Sequence, residues 1–245
     1  MRRVLAVGLV FAVAGCAADG GAPSSETDPA VILAASTQTL EEESFRFELS
    51  AGELFTAAGA MDPAVPAGSV TVTIEQGPMV IDIESILIES SMWANLGSLG
   101  EFFGAETPWL HIDRTRLGEA GLAGIAPGQV DLVGAAEWLR SAEQVEQVDE
   151  DTFRGQFQLA EGESTGFADQ LLAALGEESL AVAFVATVDD QGRLTELTVD
   201  LPRTEATAAQ RLELRYFDFG APVEVSPPPA DQVSELPEEL YELYS

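Results

Sequence analysis

The residues best suited to nucleophilic catalysis are at 162–166, where Ser164 lies two positions from a glycine on each side. These residues, Gly-Glu-Ser-Thr-Gly, match the G-x-S-x-G turn that exposes a nucleophilic serine between a strand and a helix. Such a serine needs an imidazole base later in the chain, whereas the single histidine, His111, precedes Ser164. We therefore interpret the run as a small-residue loop before a helix, and ester hydrolysis is the third-ranked functional hypothesis.

The sequence gives equally little support for a metal site or for catalysis by a pair of carboxylates. One histidine, His111, cannot build a zinc site with one cysteine, Cys16, and it is interpreted as a surface residue of a strand. The acidic runs Asp149-Glu150-Asp151 and Asp189-Asp190 are interpreted as solvated turns, with weak calcium binding left open. Composition does not exclude a two-carboxylate glycosidase, but 42 acidic residues make chance pairs inevitable. The sequence predicts no catalytic residue, no metal and no cofactor.

The charge of the chain excludes nucleic acid as a partner. The 245 residues carry 42 acidic side chains against 11 arginines and no lysine, which gives a formal net charge of −31. A nucleic-acid binder needs a basic stripe, and this sequence has none. With 46% hydrophobic residues the chain is too apolar for disorder, so we expect it to fold as one domain.

The amino terminus predicts export. Two arginines precede an apolar run at residues 4–14, which is too short to span a bilayer and ends in small residues. The only cysteine follows in Val-Ala-Gly-Cys, which resembles the lipobox of bacterial lipoproteins, where the signal is cleaved before a lipid-modified cysteine. The sequence therefore predicts a signal peptide at 1–15, a lipid-anchored Cys16 and a flexible tether at 16–28.

Hydrophobic periodicity predicts the elements of a domain at 29–230. Asp28 and Pro29 are typical of a helix start, and Ile32, Leu33, Ser36 and Leu40 then share one face. Two further helices are expected at 131–141 and 166–176. Strands are expected where apolar residues alternate with polar ones. The alternating apolar residues are Phe45, Phe47 and Leu49; Val70, Val72 and Ile74; Ile81 and Ile83; Ile86 and Ile88; Leu110 and Ile112; Phe153 and Phe157; Leu197, Val199 and Leu201; and Leu212, Leu214 and Tyr216.

Three other segments complete the expected fold. The stretch 180–188 is apolar on both faces, which predicts a strand that is covered on both sides. Residues 189–192, Asp-Asp-Gln-Gly, predict a hairpin turn after it. The prolines at 227–229 are expected to end the domain, leaving 231–245 as an acidic tail or helix. The total is about ten or eleven strands and three short helices.

These elements predict an α+β fold built on one wide antiparallel sheet. A sheet of about ten strands twists and curls, and its apolar face needs a cover. Three short helices do not cover so wide a concave surface completely, so a hollow is expected beneath them. A filled sandwich is the alternative.

Several segments together resemble the LolA-like lipoprotein carrier superfamily, in particular the actinobacterial LppX- and LprG-type lipoproteins. They are the lipobox, a first helix running into Ser44-Phe45-Arg46-Phe47, the segment Pro108-Trp109-Leu110-His111-Ile112-Asp113, and an ending that precedes the prolines. That ending reads Tyr216-Phe217-Asp218-Phe219-Gly220-Ala221-Pro222-Val223-Glu224-Val225. The resemblance implies a strongly curved antiparallel sheet, a half-open barrel with helices at its mouth, and an apolar cavity that takes acylated lipids.

The leading hypothesis is a non-enzymatic lipoprotein on the outer face of the cell membrane, anchored through Cys16, that binds lipids or lipoglycans by their acyl chains and carries them across the envelope. An envelope transporter is a further candidate partner. The alternative is an envelope interaction or sensor lipoprotein with a filled core and no lipid cargo. The expected cavity lining consists of Phe45, Phe47, Leu49, Val70, Val72, Ile74, Leu197, Val199 and Leu201.

Overall fold

The computed structural model describes residues 28–52, 55–76, 79–97, 99–100, 106–117, 134–157, 181–201, 203 and 209–243. One open sheet of twelve strands dominates these residues, so the expected large antiparallel sheet with few helices is confirmed, with more strands than the ten or eleven expected. The strands are β1 Phe45–Ala51, β2 Phe55–Asp62, β3 Ala67–Gln76, β4 Met79–Ile88, β5 Ser91–Asn95, β6 Trp109–Asp113, β7 Glu143–Gln147, β8 Thr152–Phe157, β9 Val182–Val188, β10 Leu194–Leu201, β11 Gln210–Phe217 and β12 Val233–Glu235.

The strand order is simple. It runs β12-β6-β5-β4-β3-β2-β1-β11-β10-β9-β8-β7, so β1 lies near the middle and the first strand pairs with the last long one. All neighbours are antiparallel except β12 and β6, which run in parallel. The edge strand β7 is short and carries glutamate and glutamine along its length, a composition that discourages pairing with another chain.

Four short helices accompany the sheet in the described residues, α1 Pro29–Ser36, α2 Thr39–Glu42, α3 Ala135–Arg140 and α4 Glu238–Leu243. The start of α1 is as predicted, because Pro29 is its first residue and the Asp28 carboxylate accepts the Ala30 amide proton at 3.0 Å. The hydroxyls of Ser36 and Thr37 donate to carbonyls three residues back, at 2.7 and 2.9 Å. This competition with the helical ladder accompanies the break between α1 and α2.

The prediction that the strand at 180–188 is covered on both sides is wrong. In β9 only alternate side chains are buried, and Val185 is 43% exposed on the other face. Val185 lies between Arg154 of β8 and Thr198 of β10 in the register. Because both cross-strand neighbours of Val185 are polar, this valine lies on a face of the sheet that contacts water.

The carboxyl-terminal boundary also differs from the sequence expectation. The prolines at 227–229 do not end the folded part, because β12 follows them and pairs with β6. The Leu236 amide donates to the His111 carbonyl at 2.9 Å, and Leu236 is buried. Of the two forms expected for residues 231–245, a tail or a helix, the helix forms as α4, and it is packed rather than free.

Some predictions lie outside the described residues. They are Cys16 and the segments before residue 28, most of the residues 131–134 that were expected to begin a helix, the serine motif at 162–166 and the helix at 166–176. No helix among the described residues combines the length and the apolar character that a bilayer crossing requires.

Candidate functional site: the apolar face of the sheet

The register places every expected lining residue on one face of the sheet. In β1, Phe45, Phe47 and Leu49 alternate with residues of the opposite face. Leu49 pairs with Ala57 of β2, which pairs with Val72 of β3, and on the other side Leu49 pairs with Leu214 of β11. Leu214 pairs in turn with Leu197 of β10. The expected lining residues of β1, β3 and β10 therefore belong to one continuous apolar surface, here called the inner face.

Burial along the inner face is uneven. The expected lining residues of β1 and β10 are buried, from 0% exposed for Leu197 and Val199 to 6% for Leu201. Those of β3, Val70, Val72 and Ile74, are only half-buried. Their neighbours Phe55 of β2 and Ile83 of β4 are half-buried as well. Partial burial of inner-face apolar side chains on these strands is confined to such residues, because Ala57 and Met61 of β2 and Ile81 and Leu87 of β4 are buried.

Helices cover the inner face on one flank of β2, β3 and β4. Leu33 of α1, Leu40 of α2 and Leu139 of α3 are at most 3% exposed and belong to one core cluster with β1 and β8 to β11. The Trp138 indole stacks on Phe157 of β8 with ring centroids 5.2 Å apart, and Phe157 stacks on Phe184 of β9 at 5.6 Å. These aromatic contacts fix α3 above β8 and β9.

A second, smaller core cluster covers the other flank. It joins Met92 and Ala94 of β5 and Leu110 and Ile112 of β6 to the carboxyl-terminal segment that contains α4. Two polar contacts hold α4 there. The Tyr241 hydroxyl accepts the Asp113 amide proton at 2.8 Å. The Arg116 guanidinium lies 3.7 Å from the centroid of the Tyr241 ring and pairs with Glu238.

Small residues on the inner face make room for large neighbours. A methyl group on Gly59 would lie 2.8 Å from Cε1 of Phe47, and one on Gly155 would lie 2.9 Å from Cζ of Phe184. A methyl group on Gly68 would lie 2.7 Å from the Ala60 carbonyl oxygen and closer still to the Met61 sulfur. Strand glycines of this kind mark close approach and sharp bending of neighbouring strands.

Several inner-face residues were missed in the sequence. Ala57 and Gly59 of β2 carry too little side chain to reveal alternation, and Met92 and Ala94 lie in a strand of only five residues. For β2 the missing signal was the size of the cross-strand partner, since Phe47 of β1 occupies the space above Gly59.

The outer face is polar and salt-bridged. Across β10 and β11, Arg215 pairs with Glu196 at 3.3 Å and Arg211 pairs with Asp200 at 2.9 Å, and each pair is directly opposite in the register. All these side chains are more than half exposed, so the ion pairs contribute little to the stability of the sheet. Their charges make this face of the sheet hydrophilic. The inner face is thus the more apolar of the two.

The two acidic runs meet at one end of the sheet, where they border a cleft of 630 Å³. Its walls are formed by Ile32, Gln147, Asp149, Glu150, Asp151, Phe153, Val188, Asp189, Asp190 and Gly192. None of the expected lining residues lies in this cleft. Among the described residues no group of three or more possible ligands is arranged to hold a metal ion.

Asp189 organises the hairpin turn next to that cleft. Its Oδ1 accepts the amide protons of Gln191 and Arg193 at 2.9 and 3.0 Å, and its Oδ2 lies 2.6 Å from the Arg193 guanidinium. Burial alone would raise the pKa of the Asp189 carboxyl. The hydrogen bonds from Arg193 and Gln191 outweigh burial, so the pKa is lowered from its ordinary value. This carboxylate is a structural part of the turn.

His111 lies on the outer face of β6, where both of its ring nitrogens contact side chains of neighbouring strands. Its Nδ1 lies 2.8 Å from Glu235 of β12 and its Nε2 lies 3.2 Å from the Ser91 hydroxyl of β5. The ring also lies 5.3 Å from that of Trp93. His111 thereby links three strands and has no serine partner for catalysis other than Ser91 among the described residues.

No family model matches the chain, and no curated protein matches it.

Proposed function

We propose that this chain is a non-enzymatic, lipid-anchored envelope protein that binds acylated lipids between its sheet and its helices and carries them across the cell envelope. The observation that supports the proposal most is the half-buried row Val70, Val72 and Ile74. Val70 and Val72 of this row pack against the larger core cluster, and the smaller cluster lies further along the same apolar face. An acyl chain is the ligand that such a surface accommodates best.

Strong curvature of the sheet is part of this proposal. A sheet of twelve strands does not stay flat without unusual support, because each strand pair adds to the right-handed twist. Gly59, Gly68 and Gly155 favour bending toward the inner face, where Phe47, Met61 and Phe184 fold over them. A half-open barrel with helices at its mouth is the architecture that combines these features.

The energy of binding comes from apolar burial. Removing apolar surface from water contributes about 25 cal/mol per Å², or about 0.8 kcal/mol for each buried methylene. A chain of many methylenes lying on Val72 and its neighbours gains several such contributions. The charged outer face offers an acyl chain no comparable surface.

The site of action proposed for the protein is the outer face of the cell membrane. Cys16 and its lipobox supply the anchor, and residues 17–28 supply a tether. With a net charge of −31 the protein is repelled by anionic lipid headgroups, so attachment depends on the lipid on Cys16. A transporter of the envelope is proposed as the partner that loads or unloads the carrier.

Native mass spectrometry of the full chain tests the proposal. The Cys16→Ser chain, made in lipid-containing bacteria and purified without detergent, is expected to carry a noncovalent acyl lipid. A chain that has no adduct and takes up none from phospholipid vesicles contradicts lipid carriage. That result would favour the alternative of an envelope interaction protein with a filled core.

A further inference from the structure

Ser85 of β4 places a hydroxyl group on the apolar inner face. It is directly opposite Val70 of β3 and Ala94 of β5 in the register. Directly opposite residues of antiparallel strands share a face, and Val70 belongs to the inner one, so Ser85 does as well. The other inner-face residues of β2 to β5 whose burial the structure describes are apolar or glycine. Ser85 is therefore a polar exception on this part of the face.

The position of Ser85 is beside one end of the half-buried row of β3. Val70, the first residue of that row, is opposite Ser85, and Ile74, the last, is opposite Ile81. At about 3.3 Å per residue, the row extends for roughly 13 Å away from the serine. An acyl chain that lies along this row therefore has one of its ends beside the hydroxyl.

The Ser85 hydroxyl makes no hydrogen bond within the described part of the chain. Ser85 is half-buried, so it is accessible from outside the core. The side chains next to it on the inner face are apolar and offer no acceptor; they are Val70, Ala94, Ile83 and Leu87. An acyl chain that covers this hydroxyl removes its water, which costs free energy unless the lipid itself supplies a hydrogen bond.

The group of an acyl lipid that fits this position is the ester. An ester carbonyl oxygen lies where the acyl chain begins, and it accepts a hydrogen bond without carrying a charge. A phosphate or carboxylate among these apolar residues would lose its hydration with only one hydrogen bond in return. The oxygen of an ether is a weaker acceptor than a carbonyl oxygen, so an ether-linked lipid satisfies the hydroxyl less well.

We propose that the Ser85 hydroxyl donates a hydrogen bond to an ester carbonyl oxygen of the bound lipid, and that the acyl chain runs from there along β3 toward Ile74. This inference rests on the proposed function and deepens it. It makes Ser85 the binding residue that fixes the start of the acyl chain and selects ester-linked over ether-linked lipids.

A competition between two lipids tests the assignment. The full Cys16→Ser chain is offered mixed vesicles that contain equal amounts of dipalmitoyl phosphatidylcholine and its dihexadecyl ether analogue. Native mass spectrometry resolves the two complexes by mass. One net hydrogen bond corresponds to roughly a fivefold preference for the ester. In the Ser85→Ala variant, which removes only the hydroxyl, we expect the ratio of ester to ether to fall to about one.

Two further variants serve as controls. Ser85→Thr keeps a hydroxyl at the same position and should keep the ester preference. Ser69→Ala makes the same chemical change as Ser85→Ala on the outer face of β3, where Ser69 is also half-buried and is opposite Ile86. It should leave the ratio at the parental value. Thermal melts without lipid should show that Ser85→Ala is as stable as the parent, because no hydrogen bond within the protein is lost.

The infrared band of the ester carbonyl gives a second signature. A carbonyl that accepts a hydrogen bond absorbs at a lower frequency than a free one. The ester lipid, labelled with carbon-13 at its carbonyls and bound to the parent chain, should show a component at lower frequency. We expect this component to disappear in Ser85→Ala and to remain in Ser69→Ala.

Several outcomes overturn the inference. They are equal occupancy by both lipids in the parent chain, an ester preference that survives Ser85→Ala, and a preference that Ser69→Ala abolishes as well. In these cases lipid binding itself stands. A Ser85→Ala chain that is less stable without lipid would show that the hydroxyl bonds within the protein, which also contradicts the assignment. If neither lipid binds, the proposed function and this inference fail together.

Discussion

Phe47 of β1 lies directly over Gly59 of β2, its partner in the register. A methyl group on Gly59 would lie 2.8 Å from Cε1 and 3.0 Å from Cζ of that ring. The two residues are therefore complementary in size, and the aromatic ring covers a position where the neighbouring strand has no side chain. Contacts of this type let adjacent strands bend toward the inner face.

Gly59→Ala should destabilise the protein by about 1–3 kcal/mol, because the added methyl overpacks its contacts with the Ser69 carbonyl oxygen, the nearest atom, and with the Phe47 ring. Urea unfolding measures the change. Ala58→Ser adds one heavy atom on the exposed side of the same strand and should change the free energy of unfolding by less than about 0.5 kcal/mol. Equal effects of the two substitutions would show that the Phe47–Gly59 contact is not close-packed.

Asp189→Asn should destabilise the native state by about 1–2 kcal/mol at neutral pH, because it removes the charge that holds Arg193. Since the folded-state pKa of Asp189 is lowered, its stabilisation is present above the ordinary value of 3.8 and is lost as the pH falls through the folded pKa. The difference in unfolding free energy between parent and variant should shrink below about pH 4.

The exposed neighbour Asp190 provides the control for this experiment. Asp190→Asn should leave the free energy of unfolding within about 0.5 kcal/mol of the parent at every pH. A parent–variant difference for Asp189→Asn that stays constant down to pH 2 would contradict the assigned role of the charge.

Tyr241→Phe should loosen the carboxyl-terminal segment, because it removes the acceptor of the Asp113 amide proton, a contact of 2.8 Å. The loss of one hydrogen bond corresponds to about 1 kcal/mol. Hydrogen exchange should accelerate in α4 and β12 and remain unchanged in β8 to β10. Glu239→Gln, on the exposed side of the same helix, should leave exchange unaltered.

Cys16→Ser should release the protein from the membrane fraction and abolish incorporation of labelled palmitate, because it removes the proposed site of lipid attachment. A wash with concentrated salt should leave the parent chain bound, since the anchor is apolar. Release of the parent by salt, without label, would show that the lipobox resemblance is misleading.

Strands with bulky alternating residues could be predicted from the sequence. Phe45, Phe47 and Leu49 in β1 and Leu197, Val199 and Leu201 in β10 show a period of two and lie on the inner face as expected. The turn from Asp189 to Gly192 also forms as expected, with the Gly192 amide donating to the Asp189 carbonyl at 2.8 Å. The sizes of neighbouring side chains and the residue types of the turn were sufficient to predict these elements.

Other elements depend on partners that a periodicity does not reveal. β2 is recognisable only once Phe47 of β1 is known to fill the space above Gly59. The edge strand β7 has one apolar residue, Val145, which is too few to show alternation, and β12 exists because it pairs in parallel with β6. The outer face of β9 looked buried because Ala183 and Val185 are apolar, although both are exposed. Long-range pairing decided each of these cases.

The central claim, that acyl chains lie on the half-buried row of β3, is tested most directly by comparing Val72→Trp with Thr71→Trp. Val72 lies on the inner face, whereas Thr71, the adjacent residue, is exposed on the outer face. Native mass spectrometry of both variants in the Cys16→Ser chain measures the fraction that carries lipid. Overpacking of about 1–3 kcal/mol predicts roughly a tenfold lower occupancy for Val72→Trp and parental occupancy for Thr71→Trp. Equal occupancy in two folded variants would contradict the claim.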